Sequence, residues 1–327
     1  MPRALITGIT GQDGRYLAES LVAKGYEVYG LVHGLNNPRA AIIEREIPAV
    51  RLLAGDITDL PSLIRALLAA RPDEFYNLGG ISFVAQSWEN AQATSQVTGM
   101  GVLNVLEAIR LHQEETGNPV RFYQASSSEM FGKAQEVPQR ETTPFHPRSP
   151  YGVAKVYAHY MTINYRESYG MHASTGILFN HESPRRDPKF VTRKITQSVA
   201  RISLGLQDEL VLGNLDAKRD WGFAGDYVDA MWRMLQQDAG DDYIVATGEV
   251  HSIREFLEAA FAVAGIGDWE RFVSQSGAFL RPAEVDLVVG DASKARERLG
   301  WKPTIRFSEL VRLMVEADLD EQSAAMR

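Results

Sequence analysis

The chain has 327 residues, 45% of them apolar, enough to build the core of one large α/β unit or of two coupled lobes. A net charge of −8 argues against a surface given over to nucleic acid, while leaving room for a local basic pocket that holds a small anion. With no cysteine there can be no disulfide, thiolate nucleophile or cysteine-ligated metal, and the seven histidines form neither an HExxH pattern nor a close pair, so no metal is expected.

In chain order, MPRALITGITG enters a strand directly, without the charged and apolar regions of a signal peptide. No apolar run approaches the roughly 18 residues of a membrane span. A cytoplasmic protein with no membrane partner and no nucleic-acid partner is expected. Apolar runs at 3–7, 26–32, 50–55, 74–79, 120–126 and 174–179 read as buried parallel strands. Helical patterns lie between them. In 14–24, Leu17 and Leu21 share a face and Gly25 supplies a stop. Thr58 is the expected N-cap of a helix over 59–70, and helices are expected at 92–112 and 151–169. Strands alternating with helices predict βαβ units, hence an α/β fold with a Rossmann-type, doubly wound parallel sheet. After residue 180 the rhythm breaks. A helix over 191–204 follows, DYIVAT (242–247) reads as a strand returning to the sheet, and Ser252 with Glu255 forms a capping box. Two further helices are expected at about 292–299 and 308–320. This division predicts a dinucleotide-binding domain of residues 1–179 plus about 220–250, and a smaller interwoven C-terminal lobe of 180–219 and 251–327.

TGITGQDG places Gly8, Gly11 and Gly14 at G-x-x-G-x-x-G spacing, after a strand and at the opening of a helix. Glycines there let the backbone approach a pyrophosphate at a helix N-terminus, where free N–H groups and the dipole favour an anion. The same pattern also occurs in turns that bind nothing; the βαβ context favours the cofactor reading. Gln12 and Asp13 lie within this loop. Asp56, followed by Ile57, is offered to the adenine end, and Leu78 ends the fourth strand where backbone passes close to a dinucleotide. An acid after the second strand would favour NAD, and arginines there NADP. That segment, LVHGLNNPR, contains no acid, and its arginine, Arg39, comes several residues on.

Tyr151 and Lys155 stand four apart on one helix and share a face. An adjacent ammonium is expected to lower the phenol's pKa, so that the phenolate can take a proton from a sugar hydroxyl as a nicotinamide takes hydride from the same carbon. Ser127 and Glu129 follow the fifth strand at the sheet's carboxyl edge. If that segment is extended, i and i+2 face the pocket together. A carboxylate there has work that simple dehydrogenation does not require: removing a proton from the carbon next to a new ketone, which prepares the loss of a β-hydroxyl as water.

The motifs ALITGITGQDG, FYQASSSEMFG, TPFHPRSPYGVAK, NHESPRR, FVTRKIT, KRDWGFAGDYV, RPAEVD and LGWKP run nearly end to end. On them the chain resembles the extended short-chain dehydrogenase/reductases that modify nucleotide sugars, and among these the GDP-mannose 4,6-dehydratases. The resemblance implies a redox-neutral hydro-lyase with tightly bound NADP and GDP-mannose as substrate. Tyr151, assisted by Lys155, would remove the C4 hydroxyl proton as hydride leaves C4, Glu129 would take the C5 proton, water would leave from C6, and hydride would return to C6. Ser127 stands where the family usually has threonine and keeps the hydroxyl that bonds the C4 oxygen. Ser82, Asn180, Lys194, Arg219, Arg281 and Glu284 fall on positions that contact the GDP-sugar in the family. Arginine and lysine suit a diphosphate, and a carboxylate can accept from guanine N–H groups. A homodimer through a four-helix bundle of 92–112 and 151–169, or a homotetramer, is also implied.

The family's adjacent arginine pair after the second strand is replaced here by GLNN, which leaves NAD as the alternative cofactor. The family's NLAAQS reads NLGGISF. The rival activities are dehydration of another GDP-sugar, a 4-keto-6-deoxy-sugar reductase, or a 4-epimerase, which needs no carboxylate base such as Glu129. A non-catalytic dinucleotide-binding protein is a rival of another class; the Ser127, Glu129, Tyr151 and Lys155 set argues against it.

Overall fold

The computed structural model describes residues 1–277 and 288–326. Its first half alternates β1 (Arg3–Thr7), α1 (Gln12–Ala23), β2 (Glu27–Val32), α2 (Ala40–Glu46), β3 (Arg51–Ala54), α3 (Leu60–Ala70) and β4 (Glu74–Asn77). A long helix follows, in which α4 (Ala91–Thr94) passes through π-helical turns at Ser95–Met100 into α5 (Gly101–Thr116). β5 (Arg121–Ser127), α6 (Pro150–Tyr169) and β6 (Ala173–Leu178) complete the alternation. Beyond it lie β7 (Asn180–Glu182), α7 (Val191–Ser203), β8 (Leu210–Leu212), β9 (Lys218–Arg219), β10 (Trp221–Phe223) and α8 (Ala224–Leu235). The chain continues through β11 (Asp242–Val245), β12 (His251–Ser252), α9 (Ile253–Val263), β13 (Val273–Gln275), α10 (Ser293–Leu299) and α11 (Phe307–Ala325).

Seven parallel strands form the main sheet in the order β11-β6-β5-β4-β1-β2-β3. The expected returning strand at 242–247 is β11, paired with β6. The order reverses between β1 and β4, whose ends are tied where Thr7 Oγ1 donates to Asn77 Oδ1 at 2.6 Å. That reversal opens a crevice at the strands' carboxyl ends, where sheets of this kind bind ligands.

Period-two burial decides which helices cover which face. Ala4, Ile6, Tyr76 and Tyr123 point into one apolar cluster with α1, α8 and α10, while Leu5, Phe75 and Phe122 point into a second with α3, α5 and α6. Both faces are therefore apolar, which is why the strands read as continuous hydrophobic runs. A third cluster joins α7, α9 and α11 around Trp221. The capping box at α9 is present, with Ser252 Oγ accepting from the Glu255 N–H and Glu255 accepting from the Ser252 N–H. Thr58, by contrast, does not cap α3. Asp59 holds the N-cap position, and the Thr58 N–H and hydroxyl both donate to Asp56 at 2.8 Å.

Candidate active site

The glycine loop joins β1 to α1. Gly8 has φ +69, and a Cβ there would lie 2.8 Å from the Leu78 carbonyl carbon and oxygen at the end of β4. A Cβ on Gly14 would lie 2.4 Å from the Gly8 oxygen. The loop is thus folded as tightly as backbone allows, and Gly11, the N-cap of α1, brings no side-chain cap to the helix's first N–H groups. A tight backbone turn without side chains, leading into helix donors that no side chain caps, fits a dinucleotide pyrophosphate.

Gln12 and Asp13 lie at the start of α1 and reach across to the strand after β6. Asp13 takes a hydrogen bond from His181 Nε2 at 2.8 Å, and Gln12 Nε2 donates to the His181 carbonyl at 3.0 Å. Ser183 Oγ donates to Gln12 Oε1 at 2.8 Å. Burial raises the Asp13 carboxyl, but the charge and hydrogen bond of His181 outweigh it and the net direction is down. Burial lowers His181, and Asp13 again outweighs it, so the net direction is up. The Phe179 carbonyl, 2.7 Å from Nδ1, needs a proton on that nitrogen. With Asp13 on Nε2, the geometry is that of an imidazolium–carboxylate pair. No spacing in the sequence marks His181; its chemistry appears only once β7 is laid against α1. Arg186 is a second such residue. Its guanidinium, over the Phe190 ring at 3.5 Å, is close enough to Tyr151 and His181 to affect both electrostatically.

Across the crevice, three successive residues of β5 meet one face of α6. Lys155 Nζ donates to the Ala125 carbonyl at 2.7 Å, His159 Nδ1 lies 3.2 Å from Ser126 Oγ, and Tyr151 is hydrogen-bonded to Ser127. Ser149 Oγ caps α6 by accepting from the Gly152 N–H at 3.0 Å. Tyr151 and Lys155 are both buried. Burial pushes the Tyr151 phenol up to about 12, the Ser127 bond pulls against it, and the Glu129 charge adds to the rise. Burial pushes the Lys155 ammonium down to about 8, opposed by the Asp13 charge. The expected depression of the phenol by Lys155 is therefore not found in the protein alone: burial raises the phenol, and the ammonium is aimed at a carbonyl.

β5 ends at Ser127, and Ser128–Met130 form a 3-10 turn for which Ser127 is the N-cap, its Oγ accepting from the Glu129 N–H at 3.2 Å. Strand alternation thus does not explain the placing of Glu129. A tight turn brings its charge within reach of Tyr151.

The remaining expected residues take varied positions. Ile57 is buried, and its carbonyl accepts from Asn104 Nδ2 at 3.0 Å. Ser82 is exposed in the loop after β4, which Thr98, from the π-helical turns, fixes by accepting from the Ile81 N–H at 3.0 Å. A π segment at such a place is a common mark of a site. Arg39 precedes α2, and its guanidinium lies 3.7 Å from Asp187. Asn180 is paired with Trp221 between β7 and β10, and Arg219, two residues before Trp221, is paired with His251 between β9 and β12. Lys194, on α7, donates to the Val211 carbonyl at 2.7 Å, and burial lowers its pKa. Arg281 and Glu284 lie outside the described residues.

The reversed sheet, the glycine loop and the buried Tyr151–Lys155 pair define the class: a Rossmann-type protein of the short-chain dehydrogenase/reductase fold. Solved structures agree. The Thermus thermophilus UDP-glucose 4-epimerase, in complex with NAD, superposes with a TM-score of 0.83 at 29% identity, covering 97% of this chain and 98% of that one. The RMD protein of Pseudomonas aeruginosa, complexed with NADPH, gives 0.80 at 26% identity, covering 98% and 99%. The family model described as GDP-mannose 4,6 dehydratase matches residues 5–314. GDP-mannose 4,6 dehydratase 2 of Arabidopsis thaliana is 53% identical over 325 residues, covering 97% of this chain and 87% of its own length. The human GDP-mannose 4,6 dehydratase is 49% identical, covering 97% and 91%. The chain belongs to the GDP-mannose 4,6-dehydratase family.

Proposed function

We propose that this chain converts GDP-mannose to GDP-4-keto-6-deoxymannose, with Ser127, Glu129, Tyr151 and Lys155 as its catalytic set. The observation that carries this reading is the convergence of a carboxylate, a phenol and a hydroxyl at the end of β5, next to the glycine loop. Tyr151 takes the C4 hydroxyl proton, and Ser127, already bonded to Tyr151, holds the C4 oxygen. Once C4 is a ketone, the C5–H bond is acidic. Glu129 removes that proton and passes it to the departing C6 hydroxyl, so that water leaves; when C6 receives hydride, C5 takes up a proton from solvent and Tyr151 releases the one it took from the C4 hydroxyl, so that atoms balance. A nicotinamide dinucleotide, when bound, supplies the acceptor for C4 hydride, the donor to C6, and a positive ring that favours the Tyr151 phenolate.

Gly8, Gly11, Gln12, Asp13, Gly14, Asp56, Ile57 and Leu78 would hold that dinucleotide, with Arg39 at its adenosine end. NADP is the form the family resemblance implies, and NAD is the alternative left by the missing arginine pair. Asn180, Lys194, Arg219, Arg281 and Glu284 would hold the GDP-sugar in the smaller lobe, beside Ser82.

The test is to incubate the purified protein with GDP-mannose in deuterated water, following the sugar by NMR and the reduced nicotinamide by absorbance. The expected outcome is a 4-keto-6-deoxy product with deuterium at C5 and no net change in cofactor. An untouched GDP-mannose alongside turnover of a different GDP-sugar would reassign the hexose. Stoichiometric consumption of reduced cofactor on a 4-keto sugar would make the chain a reductase.

A further inference from the structure

We infer that the adenosine end of this site selects a free ribose 2′-hydroxyl over a 2′-phosphate, so that the chain prefers NAD to NADP, and that His33 and Asp56 make the choice. The inference rests on the reading of the glycine loop as a dinucleotide site. β2 and β3 are neighbours, with Val32 paired to Ala54 and the Gly55 N–H donating to the Val32 carbonyl at 2.9 Å. The residues that follow, His33 and Asp56, therefore leave the sheet side by side at its carboxyl edge, in the corner where such folds receive the adenosine ribose.

His33 Nε2 lies 3.0 Å from Asp56 Oδ2. The carboxylate is fixed, because Oδ1 accepts both the Thr58 N–H and the Thr58 hydroxyl at 2.8 Å. This second role for Thr58 explains why it does not cap α3. The corner thus carries a held negative charge, 34% exposed, and an imidazole already directed at it. Residues 34–38, Gly-Leu-Asn-Asn-Pro, add no positive charge. The next cation, Arg39, has its guanidinium 3.7 Å from Asp187.

A 2′-phosphate brings close to two negative charges and needs charge-assisted donors, above all bidentate arginine. Here it would meet Asp56 and compete with it for His33. A 2′-hydroxyl carries no charge, can donate to the carboxylate and can accept from the imidazole. The pair thus accepts the one and repels the other, which is specificity through an unfavourable contact as much as a favourable one.

The experiment is calorimetric titration of the cofactor-free full-length protein with NAD and with NADP, repeated on the double variant His33→Arg, Asp56→Asn. The wild-type protein is expected to bind NAD more tightly. In the double variant the ratio of NADP to NAD affinity is expected to rise about tenfold or more, the size of one charge-assisted contact. Equal or tighter binding of NADP by the wild type overturns the inference, and so does a variant whose ratio is unchanged. Should the double variant fail to fold, His33→Arg alone is read in the same way. A protein that binds neither dinucleotide overturns the glycine-loop reading itself. Dehydration of GDP-mannose with NADP bound more tightly would leave the proposed function intact and sink only this selection.

Discussion

Lys155 illustrates how a residue's surroundings set its chemistry. A lysine on a solvated helix holds its proton far above neutral pH, but this one is buried, and desolvation brings it down to about 8. Its charged form is the one that favours a phenolate at Tyr151, and that form is lost as pH rises through about 8. The kcat/KM of the free enzyme is therefore expected to fall above about pH 8, read from an initial-rate pH profile. Lys155→Arg, whose charge persists, should show no break there, and a break retained in that variant would assign it to another group. Lys155→Met should lower the rate about a hundredfold across the range. Glu129→Gln is expected to stop proton removal at C5 while leaving C4 oxidation open, so that absorbance of the reduced nicotinamide appears on mixing and persists. Dehydration at the wild-type rate in that variant would exclude Glu129 as the base.

Between elements, the register of α6 on β5 is held by residues 151, 155 and 159 against residues 127, 125 and 126. His159 is the member with no part in the proposed chemistry. Thr175 Oγ1 donates to Asp242 and also lies 3.1 Å from His159 Nδ1, so that nitrogen carries the proton and donates. Burial lowers the His159 pKa to about 4, opposed by the Asp242 charge. Because the folded value lies below the unfolded one of about 6.5, the neutral ring's stability is present above pH 6.5 and is lost as pH falls toward 4. Denaturant titrations at pH 7 and pH 4.5 should show wild-type protein losing about 2–3 kcal/mol more than His159→Gln over that interval. Equal losses would show that His159 is protonated without penalty. In the glycine loop, Gly14→Ala should cost about 1–3 kcal/mol and abolish dinucleotide binding, since its Cβ would have to displace the Gly8 carbonyl rather than a flexible side chain. Calorimetry with NAD and NADP would detect a variant that still binds.

At the scale of the whole molecule, α6 has one face turned to β5 and another on which apolar side chains are exposed. Val153, Tyr157 and Tyr160 are exposed on α6, and Met100 and Leu111 on the helix beside it. Such a patch suits burial against a second copy of the same helices, the homodimer or homotetramer that the family resemblance implies. Val153→Glu combined with Tyr157→Glu is expected to yield a monomer with unchanged circular dichroism. An oligomer of wild-type size by light scattering would place the interface elsewhere.

The sequence by itself determined the alternating strands, the glycine loop, the capping box and the Tyr151–Lys155 pair, because each is a matter of periodicity or of spacing within a few residues. RALIT reads as a strand wherever it lies, and two side chains four apart share a helix face in any helix. Only the tertiary structure decided that Asp13 meets His181, 168 residues away, that His33 meets Asp56, and that a 3-10 turn carries Glu129 toward Tyr151. It also reversed the expectation for the Tyr151 phenol. Proximity of an ammonium can be read from a motif, but desolvation belongs to everything packed around the group, and it is the largest influence on this phenol.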